Sequence, residues 1–311
     1  VNLLVRCDAV EVGLHVPARS AQLAYLDPPF GIGTSFGARS PDGTGGARWR
    51  AEGPVAYSDR WPSIAAYLAW LEPRIAAVRD CLAPDATMWL HLDHRAVHES
   101  KGICDRVFGS SAFLGEVIWA PGNGARGTRR GPGTTHQTLL LYAAGRDFVW
   151  NARDPSLREP FAPTSLSMHF TQQDVDGRWY RERTIAGRTY RYYADEGRAI
   201  GSIWTDCPSM TANTPLRREA TGYPTQKPMK LLERIVRASS REGARVIDPF
   251  CGSGTSLAAA AKLGRQFSGC DIGELAIETT SRRLEAQGAE FELRVPSEPC
   301  PPATRASSLS S

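Results

Sequence analysis

Lysine is almost missing from this chain. Its 311 residues include four, at positions 101, 227, 230 and 262, and arginine supplies the rest of the 37 basic side chains. That imbalance reflects genome composition as readily as function. Other absences exclude more. No apolar run approaches the roughly 18–20 residues that span a bilayer, so no membrane helix is expected. The first residues show no basic-then-apolar leader pattern. The seven cysteines are scattered, odd in number and free of any C-x-x-C pair. Free thiols in a reducing compartment are therefore expected, rather than a disulfide framework or a zinc knuckle. No G-x-x-x-x-G-K-[ST] segment supports a phosphate-binding P-loop, and no internal repeat is visible. These absences describe a soluble, cytoplasmic protein without a membrane partner.

What is present is one large α/β pattern with an interruption. The net charge of +4 and pI near 8.7 suit a polyanionic partner without proving one. "NLLVRCD" (2–8) and "AQLAYLD" (21–27) read as buried strands ending in acids. Residues 31 to 60 are rich in Gly, Ser and Pro and read as a long mobile loop. "SIAAYLAWLEPRIAAVRDCL" (63–82) has helical apolar spacing, with Ser63 as N-cap. A strand is expected at 86–93, a helix at 94–108, and strands at 114–120 and 136–144. From 145 to 222 the rhythm fails. It returns with a helix at 227–240, a strand at 244–250, a helix at 254–264 stopped by Gly264, a strand at 265–272 and a helix at 273–288. The Pro- and Ser-rich tail from about 296 reads as disordered. Strands alternating with helices imply a mostly parallel, doubly wound sheet.

Two strand ends carry chemistry. In "DPFCGSGTS" (248–256) a strand ends in Asp248, a glycine turn follows and a helix begins near Thr255. Ligands of open α/β sheets sit at such carboxyl ends, and Gly252 and Gly254 permit close backbone approach. The following strand ends in Asp271, at a spacing from the turn that suits an acid hydrogen-bonded to a ribose. Leu257 stands where a dinucleotide fingerprint has its third glycine. A nucleoside ligand without a phosphate chain, such as S-adenosylmethionine, fits better. The other strand end is "DPPF" (27–30). Two prolines remove two N–H donors and stiffen the tip. Asp27 and the Pro28 carbonyl are left as acceptors for a planar amino group, and Phe30 offers a face on which a base stacks.

Together these segments resemble the amino-methylating DNA methyltransferases, the N6-adenine and N4-cytosine enzymes. "DPPF" is similar to their catalytic motif, "DPFCGSGT" (248–255) to their cofactor motif, and "YPTQKP" (223–228) to a segment preceding the cofactor motif. The order, catalytic motif first, is that of the β arrangement. The resemblance implies a Rossmann-like sheet of seven strands, one antiparallel, with a target-recognition region inserted. The expected divisions are a catalytic half at 1–144, target recognition at 145–222, a cofactor half at 223–295 and a tail at 296–311. It further implies methyl transfer from S-adenosylmethionine to an amino group of a base flipped out of duplex DNA. Asp27, Pro28, Pro29 and Phe30 would form the catalytic pocket. Asp248, Phe250, Gly252, Gly254, Thr255 and Asp271 would line the cofactor, Thr225, Gln226 and Lys227 would close it, and Asp8 would meet its adenine. Restriction–modification pairing with an endonuclease and a homodimer belong to the same expectation.

Other readings stand beside this one. Asp in the first motif position leans towards adenine, with N4-cytosine as the alternative. RNA or protein-glutamine methylation fits the Arg-rich insertion less well. A DNA-binding module without catalysis and a nicotinamide dehydrogenase are the readings from other classes. Arg126, Arg129 and Arg130, in the loop "PGNGARGTRRGPG", are candidates to contact DNA, or else form a solvated charge cluster. Trp179, Tyr180, Tyr190, Tyr192 and Tyr193 interleave with Arg181, Arg183, Arg188 and Arg191, which suits either nucleic-acid contact or a small aromatic core. Cys251 reads as small-residue packing. His91, His94 and His98 lack companions for a metal site, and no metal is expected.

Overall fold

The computed structural model describes residues 1–31, 33–37, 40–41, 49–50, 55–122, 131–210 and 219–296. Nine strands form the central sheet. In chain order they are β1 (Leu3–Arg6), β2 (Ala21–Leu26), β3 (Leu82–Leu92), β4 (Phe113–Trp119), β5 (Gln137–Ala143), β6 (Ile203–Trp204), β7 (Arg245–Asp248), β8 (Gln266–Asp271) and β9 (Glu292–Arg294). Their spatial order is β6-β4-β5-β3-β2-β7-β8-β1-β9. Only β5 runs antiparallel, against both β3 and β4. The seven expected strands are all present with the expected single reversal. The very short β6 and β9 extend the two edges.

The sequence accounts for the burial pattern. All six residues of β2 are buried, as expected of a parallel strand covered on both faces. Helix α1 (Ile64–Cys81) starts where expected, because the Ser63 hydroxyl accepts the Ala66 N–H at 3.1 Å. Its residues Tyr67, Leu71, Ile75 and Val78 fall on one helical face and are fully buried. With α2 (Val97–Phe108) this helix covers one face of the sheet. The opposite face is packed by α3 (Met229–Ser239), α4 (Thr255–Lys262) and α5 (Glu274–Ala286), through Leu231, Ile235, Leu257 and Ile277. Leu257, at the position a dinucleotide fold gives to glycine, is fully buried against Gly269 of β8. The two terminal segments, 1–144 and 223–295, thus interleave in one sheet.

The loop expected over 31–60 is corrected by the structure. Thr34–Gly37 and Val55–Asp59 pair as an antiparallel ribbon. Its base is fixed by the buried Asp59 carboxylate, which accepts from the N–H groups of Phe30 (3.1 Å) and Gly31 (2.7 Å) and from the Trp61 indole (3.0 Å). Those bonds are tertiary, so no local periodicity announces them. The middle of that stretch and the tail from 297 lie outside the described residues.

The inserted stretch contributes β6 to the sheet edge beside β4. It also carries an outlying hairpin, Trp179–Ile185 paired with Arg188–Tyr193, joined through Ala186 and Gly187, both at positive φ. The hairpin turns its arginines onto its own rings: Arg178 lies 3.8 Å over Tyr193 and Arg191 4.0 Å over Tyr180. Trp179 and Tyr190 are exposed, whereas Phe161 and Phe170 are buried together nearby. Both of the alternatives for this region are therefore partly realised: a small aromatic cluster, and an exposed surface of arginines and aromatic rings.

Candidate active site

Four adjacent parallel strands, β2, β7, β8 and β1, deliver an aspartate at or just beyond their carboxyl ends: Asp27, Asp248, Asp271 and Asp8. All four carboxylates line one cleft of about 820 Å³ that opens to solvent. The catalytic and cofactor motifs, far apart in the chain, thus share a wall, because β2 pairs directly with β7.

Asp27 is held by Lys227, whose ammonium donates to both carboxylate oxygens at 2.7 and 2.5 Å. Burial pushes the Asp27 carboxyl above the ordinary range, and the Lys227 charge opposes that. The same ammonium lies 5.0 Å from the Phe30 ring centre. Pro29 lines the cleft; Pro28, though buried, and Phe30 do not. Behind them the Tyr25 hydroxyl meets His91 Nδ1 at 2.7 Å. Burial, then Lys227, holds the His91 pKa well below its usual value. His94 and His98 are exposed, so the three histidines do not gather.

Asp248 is buried and accepts from the Phe250 N–H (3.0 Å) and from the Ser256 hydroxyl. Burial raises its pKa to about 7; the two hydrogen bonds resist this, and the charges of Asp27 and Asp271 add to it. Asp271 accepts from the N–H groups of Gly252 (2.9 Å) and Gly273 (2.8 Å), and burial raises it as well. Among the described residues no arginine or lysine forms a salt bridge with either acid. The turn between them depends on glycine. Gly254 has φ +71°, and a Cβ there would lie 2.7 Å from Thr280 Oγ1; Gly252 has φ +50° and faces the Tyr223 ring. Gly254 lies behind the cleft wall, while Gly252, Thr255 and Phe250 line it. Cys251 is buried against Thr280, consistent with packing.

The remaining expected residues fare differently. Asp8 lines the cleft but is paired with Arg74, whose guanidinium also lies 4.2 Å over Trp70. Thr225 lines it in the left-handed conformation, φ +58°, with its hydroxyl 3.1 Å from Tyr57. Gln226 lines it too, yet its amide braces its own loop: Nε2 donates to the Glu219 carbonyl (2.7 Å) and Oε1 accepts from Thr221. Lys227, expected among the cofactor contacts, has its ammonium on the other motif. Arg126, Arg129 and Arg130 lie outside the described residues. Sequence reasoning missed Tyr57, Trp70, Arg74, Tyr223 and Ser256. Tyr223 and Ser256 sat inside quoted motifs; Trp70 and Arg74, four apart on α1, form a helical pair; Tyr57 had no signal.

The sequence model of the N6/N4 DNA methylase family matches residues 21–282. Among curated relatives, the Type II methyltransferase M.EcaI of Enterobacter cloacae is 26% identical over 314 residues, spanning 87% of this chain and 66% of that protein. Two other Type II methyltransferases are spanned over about half their length, 51% and 52%. Among solved structures, the Thermus thermophilus DNA modification methylase TTHA0409, complexed with S-adenosyl-L-methionine, matches with TM-score 0.53 and 20% identity over 95% of this chain and 98% of that one. The cytosine-N4-specific PvuII DNA methyltransferase matches with TM-score 0.55 and 13% identity over 94% and 95%. At these identities the two structures speak to the fold. Fold, motif order and family match agree: the chain belongs to the N6-adenine and N4-cytosine family of DNA methylases.

Proposed function

We propose that this protein transfers the methyl group of S-adenosylmethionine to an exocyclic amino group in duplex DNA, with adenine N6 as the target and cytosine N4 as the alternative. One observation carries the reading: Asp27 and the Gly252 turn line a single cleft. The cleft also suits the donor. Asp248 and Asp271 are buried acids without a cationic side-chain partner, and S-adenosylmethionine is a nucleoside bearing positive charge. When bound, it supplies a methyl group on a sulfonium that leaves as a neutral thioether, so the leaving group needs no acid.

The work left to the chain is positioning and charge. The lone pair of an aromatic amino group is delocalised into its ring and is a poor nucleophile. Asp27 and the Pro28 carbonyl accept its two hydrogens, which favours a pyramidal nitrogen with its lone pair directed at the methyl. Near-attack positioning at about 3–3.5 Å supplies much of the rate. As the N–CH₃ bond forms and the S–CH₃ bond breaks, the amino nitrogen becomes cationic and gives up one proton; Asp27 is the nearest base. A base inside a duplex must first be extruded, at a cost of about a few kcal/mol. Asp at position 27 supports adenine over cytosine through family resemblance, while the fold serves both. The exposed arginines of the 179–193 hairpin suit contact with phosphates or base edges.

The test is transfer of labelled methyl from S-adenosylmethionine to unmethylated duplex DNA, with Asp27→Ala as control, followed by digestion to nucleosides. N6-methyladenosine lost in the mutant supports the proposal, and N4-methylcytidine supports the alternative. Binding of DNA without transfer by either protein rejects catalysis.

A further inference from the structure

We infer that Lys227 is a placeholder for the target base: in the enzyme without DNA its ammonium occupies the position that the base's amino group takes, and the entering base displaces it. This inference rests on the function proposed above. The base would be held by an acceptor for its N–H bonds, Asp27, and by an aromatic face, Phe30. Lys227 engages both at once, donating to the two Asp27 oxygens at 2.7 and 2.5 Å while lying 5.0 Å from the Phe30 ring centre. An ammonium is the chain's nearest imitation of an amino group: compact, with several N–H donors and no acceptor.

Physical chemistry gives the arrangement a purpose. Burial works against an ionised Asp27, and an acid awaiting its substrate as a neutral carboxyl is a poor acceptor. A cation on both oxygens keeps it ionised and aimed. The choice of lysine is informative in a chain with four lysines against 33 arginines. A guanidinium fork pins a carboxylate in two parallel bonds, whereas an ammonium on a flexible four-carbon stem is a point contact that swings away. Lys227 immediately precedes Pro228, the N-cap of α3, so its backbone is anchored while four side-chain torsions remain. Elsewhere the acids of this cleft have fixed partners: Asp8 has Arg74, and Asp248 and Asp271 have backbone N–H groups.

A placeholder reduces apparent affinity, because only the fraction of enzyme with an emptied site accepts the base. Removing it therefore tightens DNA binding. This sign is diagnostic: losing a positive charge otherwise weakens binding to a polyanion. The experiment compares wild type with Lys227→Met and Lys227→Arg, on unmethylated duplex DNA that the wild-type protein methylates. The DNA Kd is measured at pH 9 in the presence of S-adenosylhomocysteine, so that no transfer occurs, and the pH dependence of kcat is measured with S-adenosylmethionine. Lys227→Met is expected to bind DNA about three- to tenfold more tightly, with the acidic limb of kcat moved to higher pH. Lys227→Arg is expected to bind DNA more weakly, with that limb unmoved. Unchanged or weaker DNA binding by Lys227→Met overturns the inference and leaves Lys227 a permanent counter-ion. If Lys227→Met no longer binds S-adenosylhomocysteine, Lys227→Gln, which keeps a donor to Asp27, replaces it with the same expected signs. Absence of methyl transfer by the wild type rejects the proposed function itself, a different outcome from transfer without the affinity change.

Discussion

The strand-end cleft and the 179–193 hairpin use charge in opposite ways. In the cleft, Asp27, Asp248 and Asp271 are withdrawn from water, and burial shifts all three pKa values upward. On the hairpin, Arg191 pairs with Glu182 at 3.1 Å, and Arg178 with Asp195 at 2.8 Å and Glu196 at 3.2 Å, all in solvent. Buried charges act over one or two contacts and require exact neighbours. Exposed charges act through a screened field and contribute about 0–1 kcal/mol per pair to stability. The cleft is therefore built for chemistry at fixed distance, and the hairpin for attraction that tolerates sequence variation.

That contrast breaks most visibly at Asp27. Asp27→Ala is expected to lower kcat by roughly 10²–10⁴-fold, the usual scale for losing a positioned proton acceptor. Cofactor affinity, measured by calorimetry, should change little. Removing any one hairpin arginine should leave the single-turnover rate at saturating DNA intact.

Backbone substitutions sharpen the contrast. Gly254→Ala forces both a left-handed alanine and a Cβ against Thr280, and Gly187→Ala at the hairpin turn meets only the backbone strain, with nothing within 4 Å. The first should destabilise the protein by about 2–4 kcal/mol and weaken S-adenosylmethionine binding. The second should cost about 1–2 kcal/mol and leave cofactor affinity unchanged. Chemical denaturation beside calorimetry measures both quantities.

A third test uses pH. Because the folded Asp248 carboxyl sits near 7, above its unfolded value, the folded protein binds more protons than the unfolded chain between about pH 4 and 7. Its contribution to stability therefore falls as pH rises through that window. A cationic ligand reverses the preference by favouring the ionised form. S-adenosylmethionine affinity is expected to rise about tenfold from pH 6 to 8, and its thermal-shift effect to grow in parallel. A flat profile would remove Asp248 from contact with the ligand's charge. Smallest is the effect of Arg183→Ala or Arg188→Ala, both exposed on the hairpin. Each should weaken DNA binding severalfold and reduce the slope of log Kd against log salt by roughly one, while the pH profile stays in place.

Much of this architecture was legible because it is written locally. Ser63 ahead of an apolar-periodic run marked the start of α1, and apolar runs closing on Asp27, Asp248 and Asp271 marked parallel strands with chemistry at their tips. The ribbon through Tyr57 was not legible, since its anchor, Asp59, acts through bonds to Phe30 and Gly31, residues across a gap in sequence. Arg74 was hidden inside an apolar helix, and its partner Asp8 lies 66 residues away.

By itself the sequence determined which groups the protein possesses: a stiff acidic strand tip, a glycine turn between two acids, and a motif containing a rare lysine. Periodicity and turn chemistry are local properties, so they survive in a one-dimensional reading. Only the tertiary structure decided which charges neutralise one another. Lys227 is 200 residues from Asp27, and the pairing of the two comes from the neighbouring positions of β2 and β7 in the sheet. Pairing and burial, rather than residue type alone, set the protonation of the acids in the cleft, and both depend on what the folded chain brings within a few ångströms.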